Sequence, residues 1–113
     1  MITVAVTGAA GRKGSEVVKA VNECEELVLV AQIDPSFTDD NTHFASLEDA
    51  LASSNFDVLV DFTRPNVVAQ NVERALSQGV NCVVGTTGLA HETLEKLAEC
   101  ATDGACLFVA PNF

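Results

Sequence analysis

Seven consecutive residues carry the first chemical signal: Gly8-Ala-Ala-Gly11-Arg-Lys-Gly14, set between a short β-branched run, Ile2–Thr7, and a segment of helical periodicity. Glycine at 8 permits a tight turn with an unusual φ. Glycine at 11 lets the backbone approach an anion closely, and glycine at 14 lets the following helix pack close to the strand. The N–H groups of the helix start, aided by the helix dipole, then hold a phosphate. The spacing is GxxGxxG, with Ala10 where the common GxGxxG fingerprint has a glycine. Context strengthens the pattern: a strand precedes it, a helix follows it, and Asp34 ends the next strand about 20 residues on, where an acid accepts hydrogen bonds from adenosine ribose hydroxyls. The bland alternative is a tight turn and a strand-ending Asp. The whole arrangement is that of a site for the pyrophosphate of a nicotinamide dinucleotide.

The residue after Asp34 is Pro35, not a cation. A ribose 2′-phosphate would meet a carboxylate there, so NADH is preferred and NADPH requires a compensating cation. Arg12 is the nearby candidate; it either caps the pyrophosphate or is a solvated helix residue. A second cluster, Gly85-Thr-Thr-Gly88, follows a strand. Its small residues leave room for a ring and offer N–H and hydroxyl donors; a plain turn is the other reading.

The elements that must position these groups follow from periodicity. Apolar, β-branched runs predict strands at 2–7, 27–33, 57–62, 80–84 and 105–110. Between them, Val17, Val18 and Val21 recur at helical spacing, as do Val68, Val72, Ala75 and Leu76, and then Leu94, Leu97, Ala98 and Ala101. Ser46-x-x-Asp49 resembles a capping box opening a short helix over 46–52. Pro65 sits near a first helical turn, where its missing N–H costs nothing, and Gly79 terminates that helix. Residues 38–44 read as a polar turn. The order is βαβαβαβαβ, and strands that are continuous apolar runs belong to a parallel sheet covered on both faces. The predicted fold is α/β, a doubly wound parallel sheet of Rossmann type, whose ligands gather at the carboxyl ends of the strands.

Composition narrows the partners. The 113 residues suit one domain, 48% are apolar, and the formal charge is −10. That charge disfavours nucleic acid and anionic membrane, and no apolar run approaches the roughly 20 residues of a membrane span. The start of the chain has no basic segment ahead of an apolar one, which argues against a signal peptide. Cys24, Cys82, Cys100 and Cys106 have no CxxC or metal-ligand spacing and read as reduced, mostly buried thiols of a cytoplasmic protein; no metal site is expected. His43 and His91 read as surface residues.

Four blocks, Val6-Thr-Gly-Ala-Ala-Gly-Arg-Lys-Gly14, Asp61-Phe-Thr-Arg-Pro65, Val84-Gly-Thr-Thr-Gly88 and Ala110-Pro-Asn-Phe113, span the chain in order. Together they resemble the 4-hydroxy-tetrahydrodipicolinate (dihydrodipicolinate) reductases of the diaminopimelate route to lysine. The resemblance implies that Gly8, Ala9, Ala10, Gly11, Arg12, Lys13 and Asp34 contact the adenosine half of the cofactor. It implies that Phe62, Thr63, Gly85, Thr86 and Thr87 approach the nicotinamide half, and that Ala110, Pro111, Asn112 and Phe113 close the site and lead into a second domain. In that family the second domain carries a His-His segment and a Lys beside Asp-x-Pro-Ser-Gly-Thr, which bind a small cyclic dicarboxylate and supply its proton. No such segments occur here, so residues 1–113 are expected to be the cofactor domain, with no catalytic residue of their own and no turnover alone. The full-length protein is expected to be a homotetramer, with assembly resting mainly on the second domain. Lys13 stands where the family commonly has methionine, which suggests a solvent-facing side chain. The competing functions are a stand-alone dinucleotide- or CoA-binding module, which needs no acid at 34 in the CoA case, and another oxidoreductase of the same fold. The Gly-Thr-Thr-Gly and Ala-Pro-Asn-Phe blocks argue against both.

Overall fold

The apolar runs become the strands of a single sheet in the computed structural model, which describes residues 1–85, 89–102 and 104–109, with His91 described by its backbone alone. Among these residues the strands are β1 (Ile2–Thr7), β2 (Leu27–Ile33), β3 (His43–Phe44), β4 (Val58–Asp61), β5 (Asn81–Val84) and β6 (Leu107–Val109). All neighbours are parallel, in the order β3-β2-β1-β4-β5-β6. The helices are α1 (Arg12–Glu23), α2 (Leu47–Ser53), α3 (Pro65–Ser77) and α4 (His91–Glu99).

The strand order fixes which face each helix covers. From β1 the chain moves outward to β2 and β3, then returns past β1 to β4 and continues to β5 and β6. Right-handed crossovers made in opposite directions place their helices on opposite faces. Two apolar clusters match this. Val4, Val6 and Ala9 pack with Val21, Val17 and Val18 of α1 on one face. Ala5, Ala31, Leu59, Cys82 and Val84 pack with α2, α3 and Leu97 of α4 on the other. The α3 stripe is the deepest: Val68, Val72, Ala75 and Leu76 have no exposed surface.

Local chemistry sets the helix ends. The Ser46 side chain accepts the Asp49 N–H at 3.2 Å at the start of α2. Pro65 is the first residue of α3. That helix ends at Gly79 with φ of 80°, Gly79 N–H donating to Leu76 O at 3.0 Å and Val80 N–H to Ala75 O at 3.0 Å. This is the paired arrangement of a Schellman cap.

Three expectations are corrected. Residues 38–44 are not only a turn: His43–Phe44 pairs with Gln32 and Ile33 as the sheet edge. This strand has no period to read, because it is held by side chains; Asp40 Oδ1 accepts the Thr42 N–H at 2.8 Å and the His43 N–H at 2.7 Å, and Asp39 Oδ1 accepts the Ala45 N–H at 2.8 Å. The last helix is shorter than predicted at both ends and the last strand begins two residues later than predicted, at Leu107; Ala110 lies outside the described residues. Only Cys82 of the four thiols is buried, while Cys24 and Cys106 are exposed and Cys100 lies between.

Leu59 sits at the centre of the sheet with no exposed surface. Leu59→Ala is expected to destabilise the fold by about 2–5 kcal/mol through lost transfer energy and a residual cavity. Urea unfolding followed by circular dichroism measures it, and a loss below about 1 kcal/mol would contradict this packing.

Candidate functional site

The strand register brings the chemistry-bearing residues to one rim. Thr7 pairs with Ile33 and with Asp61, and Asp61 with Val84. The residues that follow these strand ends, Gly8, Asp34, Phe62 and Gly85, therefore stand at one level above the sheet. The crevice between β1 and β4 is where the strand order reverses, the position at which open α/β sheets bind ligands.

The glycine loop is rigidly held. Gly8 has φ of 74°, and a Cβ there would lie 2.9 Å from Phe62 O. Gly8 and Ala9 donate N–H bonds to Ile33 O at 2.9 and 3.1 Å, Gly11 donates to Gly8 O at 3.0 Å, and Ala10 donates to Asp34 Oδ2 at 3.1 Å. The loop's N–H groups from 8 to 11 are thus engaged within the protein. At the start of α1 Gly11 is the N-cap and no side chain caps the helix, the kind of helix end that can take an anion. Gly14 is the tightest point: a Cβ there would lie 2.0 Å from Gly8 O and 2.7 Å from its carbon. Glycine at 14 thus lets α1 settle onto the turn itself. Gly11 has φ of −76°, so it needs no left-handed backbone, and a Cβ there would meet Gly8 O at 3.3 Å. Its value lies in leaving the outer surface of the loop flat.

Asp34 and Asp61 flank this loop. Asp34 Oδ1 accepts the N–H and hydroxyl of Ser36 at 3.0 and 2.8 Å. With Oδ2 holding Ala10, each carboxylate oxygen having two lone pairs, Oδ2 keeps one for a further donor. Partial burial pushes the Asp34 carboxyl upward, but the Ser36 and Ala10 hydrogen bonds outweigh it and hold the group below its ordinary value. Asp61 is fully buried. Its Oδ1 accepts the Thr63 N–H at 2.8 Å and the Thr63 hydroxyl at 2.5 Å, and its Oδ2 accepts Asn71 Nδ2 at 3.0 Å. Beneath it, burial and the Asp61 charge push the Cys82 thiol up to about 12, which removes Cys82 as a nucleophile.

The predicted site residues fall into four groups. Gly8, Gly11, Arg12, Lys13, Phe62, Thr63 and Gly85 line one cleft of about 480 Å³. Arg12 and Lys13 are exposed, and the Phe62 ring lies over Gly85, where a Cβ would come within 2.2 Å of it. Gly8 and Thr63 also border a smaller hollow of about 170 Å³ that reaches Asp34, Pro35 and the Val67 and Asn71 side of α3. Ala9 and Ala10 line neither: Ala9 is turned into the core and Ala10 is exposed on the loop. Thr86, Thr87, Ala110, Pro111, Asn112 and Phe113 lie outside the described residues. A wider groove of about 1090 Å³ runs between α2 and α3, and the exposed Arg74–Glu48 ion pair lines both it and the smaller hollow. Sequence reasoning quoted Asp61 in the block with Phe62 and Thr63 but gave it no role, and it did not name Asn71, which holds the Asp61 carboxylate; the signal was an acid ending an apolar run with a hydroxyl residue two places on. Among the described residues no group of three His, Cys, Asp or Glu is placed to hold a metal, and no helix is long and apolar enough to cross a membrane.

The family model described as dihydrodipicolinate reductase, N-terminus, matches residues 2–113. The chain belongs to the dihydrodipicolinate reductase family. It is 40% identical over 114 residues to the 4-hydroxy-tetrahydrodipicolinate reductase of Corynebacterium efficiens, covering 99% of this chain and 42% of that protein. The corresponding reductase of Methanothermobacter thermautotrophicus is 36% identical, with 99% and 48% covered. The chain thus spans less than half the length of these curated relatives. Among solved structures, dipicolinate-bound dihydrodipicolinate reductase from Paenisporosarcina sp. TG-14 superposes with a TM-score of 0.85 at 31% identity, over 99% of this chain and 48% of that one. The glycine loop, Asp34 and the Asp61-Phe-Thr block thus stand along one rim of a fold shared with that reductase.

Two expectations follow. Gly14→Ala must displace the Gly8 carbonyl and should cost about 1–3 kcal/mol, whereas Gly11→Ala should change stability by less than about 0.5 kcal/mol; thermal melts of both variants decide it, and equal losses would contradict the loop geometry. The second concerns pH. Because the folded Asp34 carboxyl lies below its ordinary 3.8, its contribution is complete above that value and is lost as the pH falls through the lower folded one. Wild type and Asp34→Asn should therefore differ most above the ordinary carboxyl value and converge as the pH falls through the lower folded one. A melting-temperature gap independent of pH would show that the charged form gains nothing from the Ser36 and Ala10 contacts.

Proposed function

We propose that this chain binds a nicotinamide dinucleotide across the β1/β4 crevice and is the cofactor-binding part of a reductase that delivers hydride to 4-hydroxy-tetrahydrodipicolinate, giving tetrahydrodipicolinate. The observation that carries the proposal is the joining of the glycine loop to Asp34 through the Ala10 N–H, with an uncapped helix start beside it. These residues fit a pyrophosphate: the helix start supplies N–H donors and a positive dipole end, Gly11 presents no side chain, and Arg12 and Lys13 are exposed beside the cleft. Main-chain donors of this kind explain how a chain of net charge −10 takes a polyanion.

In this reading the spare Oδ2 lone pair of Asp34 receives a ribose hydroxyl, and the same carboxylate repels a 2′-phosphate. Phe62, Thr63 and Gly85 bound the opposite half of the crevice, where Gly85 leaves room for a ring and Thr63 fixes the turn. When bound, the cofactor supplies the hydride; the chain's contribution is to orient it and exclude water from one side. Recognition of the cyclic dicarboxylate and its protonation belong, in this proposal, to a second domain of the full-length protein, a homotetramer acting in the cytoplasm. Residues 1–113 alone bind cofactor without turnover.

Isothermal titration of the chain should give NADH binding tighter than NADPH by about tenfold or more, since a like-charge contact costs a kcal/mol or more. Gly11→Val should weaken NADH binding by roughly a hundredfold, by obstructing about two charge-assisted hydrogen bonds, while leaving the melting curve nearly unchanged. NADPH binding as tightly as NADH would show that Arg12 and Lys13 override Asp34. Unchanged NADH affinity in a folded Gly11→Val would remove the phosphate from this loop and overturn the reading.

A further inference from the structure

We propose that Asp61 is a positioning residue for the nicotinamide half of the cofactor, acting through Thr63; this rests on the dinucleotide reading above. The topology divides the ligand. With the pyrophosphate at the start of α1 and the adenosine beside Asp34 at the end of β2, the second nucleotide must extend over the ends of β4 and β5, on the other side of β1. The surface it meets there is the turn at 62–63, and that turn is shaped by one buried side chain.

Asp61 ends β4 with no exposed surface. Three donors converge on it: the Thr63 N–H at 2.8 Å, the Thr63 hydroxyl at 2.5 Å and Asn71 Nδ2 at 3.0 Å from the second turn of α3. The main chain around it is fixed as well, with Phe62 N–H donating to Thr7 O at 3.1 Å and Gly85 N–H donating to Asp61 O at 2.9 Å. The Asp61 carboxyl thus ties the turn to the helix that follows it, so that Thr63 cannot rotate without breaking two bonds at once. The same turn packs closely on the glycine loop: a Cβ on Gly8 would stand 2.9 Å from the Phe62 carbonyl oxygen. Buried hydrogen-bonded groups of this kind cost free energy to leave half satisfied, which makes the geometry specific rather than merely stable. A turn held in one conformation before binding spares the ligand the entropy of ordering it.

The prediction separates the two halves of the ligand. ADP-ribose engages the glycine loop and Asp34 but lacks the nicotinamide; NADH engages both halves. Asp61→Ala should weaken NADH binding by about tenfold while changing ADP-ribose binding less than about twofold. Asp61→Asn keeps an acceptor for Thr63, and its amide pairs with Asn71 once the Asn71 amide is turned over, so it should recover NADH affinity to within about threefold of wild type. Asn71→Ala, at a partly exposed helix position that tolerates alanine, should weaken NADH alone by about threefold and keeps the test available if Asp61→Ala melts too low to titrate.

Parallel losses of NADH and ADP-ribose in Asp61→Ala would show a general structural role and overturn the proposal. An Asp61→Asn as poor as Asp61→Ala, or an Asn71→Ala with unchanged NADH affinity, would do the same. A wild-type chain that binds neither ligand would overturn the dinucleotide reading and this proposal together, so the two failures are distinguishable.

Discussion

The site depends on a single close approach, that of α1 to the turn at Gly8. No side chain fits at Gly14, where a Cβ would stand 2.0 Å from the Gly8 carbonyl oxygen. That contact brings the helix start down to the level of the strand ends and aims its N–H groups and dipole across the rim. Gly8 turns with φ of 74° to make this approach. Its carbonyl accepts the Gly11 N–H, and the Ile33 carbonyl accepts the N–H groups of Gly8 and Ala9. A bulkier residue at 14 would lift the helix and tilt these groups away together. The loop is therefore less a flexible flap than the junction through which the sheet fixes the direction of a helix.

The strong negative charge of the chain looks at first like an obstacle to such a site. The structure shows what several of the carboxylates do. Asp57 accepts the Thr3 N–H and hydroxyl at 2.9 and 3.1 Å and joins the starts of β1 and β4. Asp39 and Asp40 hold the edge strand β3. Asp34 holds the glycine loop and Asp61 the turn after β4. In each case the partner is a main-chain N–H that the local geometry would otherwise leave to water. Hydrogen bonds to charged acceptors are stronger than neutral ones, and the lowered carboxyl values of Asp34, Asp40 and Asp57 are the titration counterpart of those contacts.

Much of this was legible in the sequence, for identifiable reasons. The buried face of α3 repeats at helical spacing, so Val68, Val72, Ala75 and Leu76 announced themselves. The glycine loop and Asp34 sit at separations set by one strand–helix–strand unit, and those separations survive in any sequence that keeps the unit. The parts that could not be read are those decided by contacts distant in sequence. Strand β3 has two residues and owes its place to aspartate side chains. Cys106 lies in an apolar run but immediately before the edge strand β6, and it is exposed. That Gly11 has an ordinary negative φ, and Gly14 the unforgiving contact, depends on where α1 comes to rest. The Asp61–Asn71 bond likewise joins a strand end to a helix turn and leaves no periodic trace.

Asp34 and Asp61 turn out to be the same device used twice. Each stands at a strand end on one side of β1, each uses Oδ1 to accept both the N–H and the hydroxyl of the residue two places on, and each spends Oδ2 on a neighbouring element. They differ in burial: Asp61 is sealed, whereas Asp34 is partly exposed and keeps an unused lone pair. The difference assigns their work. A sealed carboxylate can only hold its own turn, because no ligand atom reaches it. A partly open one holds its turn and can still meet a ligand; in the proposed reading its charge also selects what that ligand carries. A doubly wound sheet places many strand ends along one rim, and most families on this fold share that much. What makes the rim a site with two unlike halves is that one of its two aspartate-pinned turns is open to solvent and the other is closed.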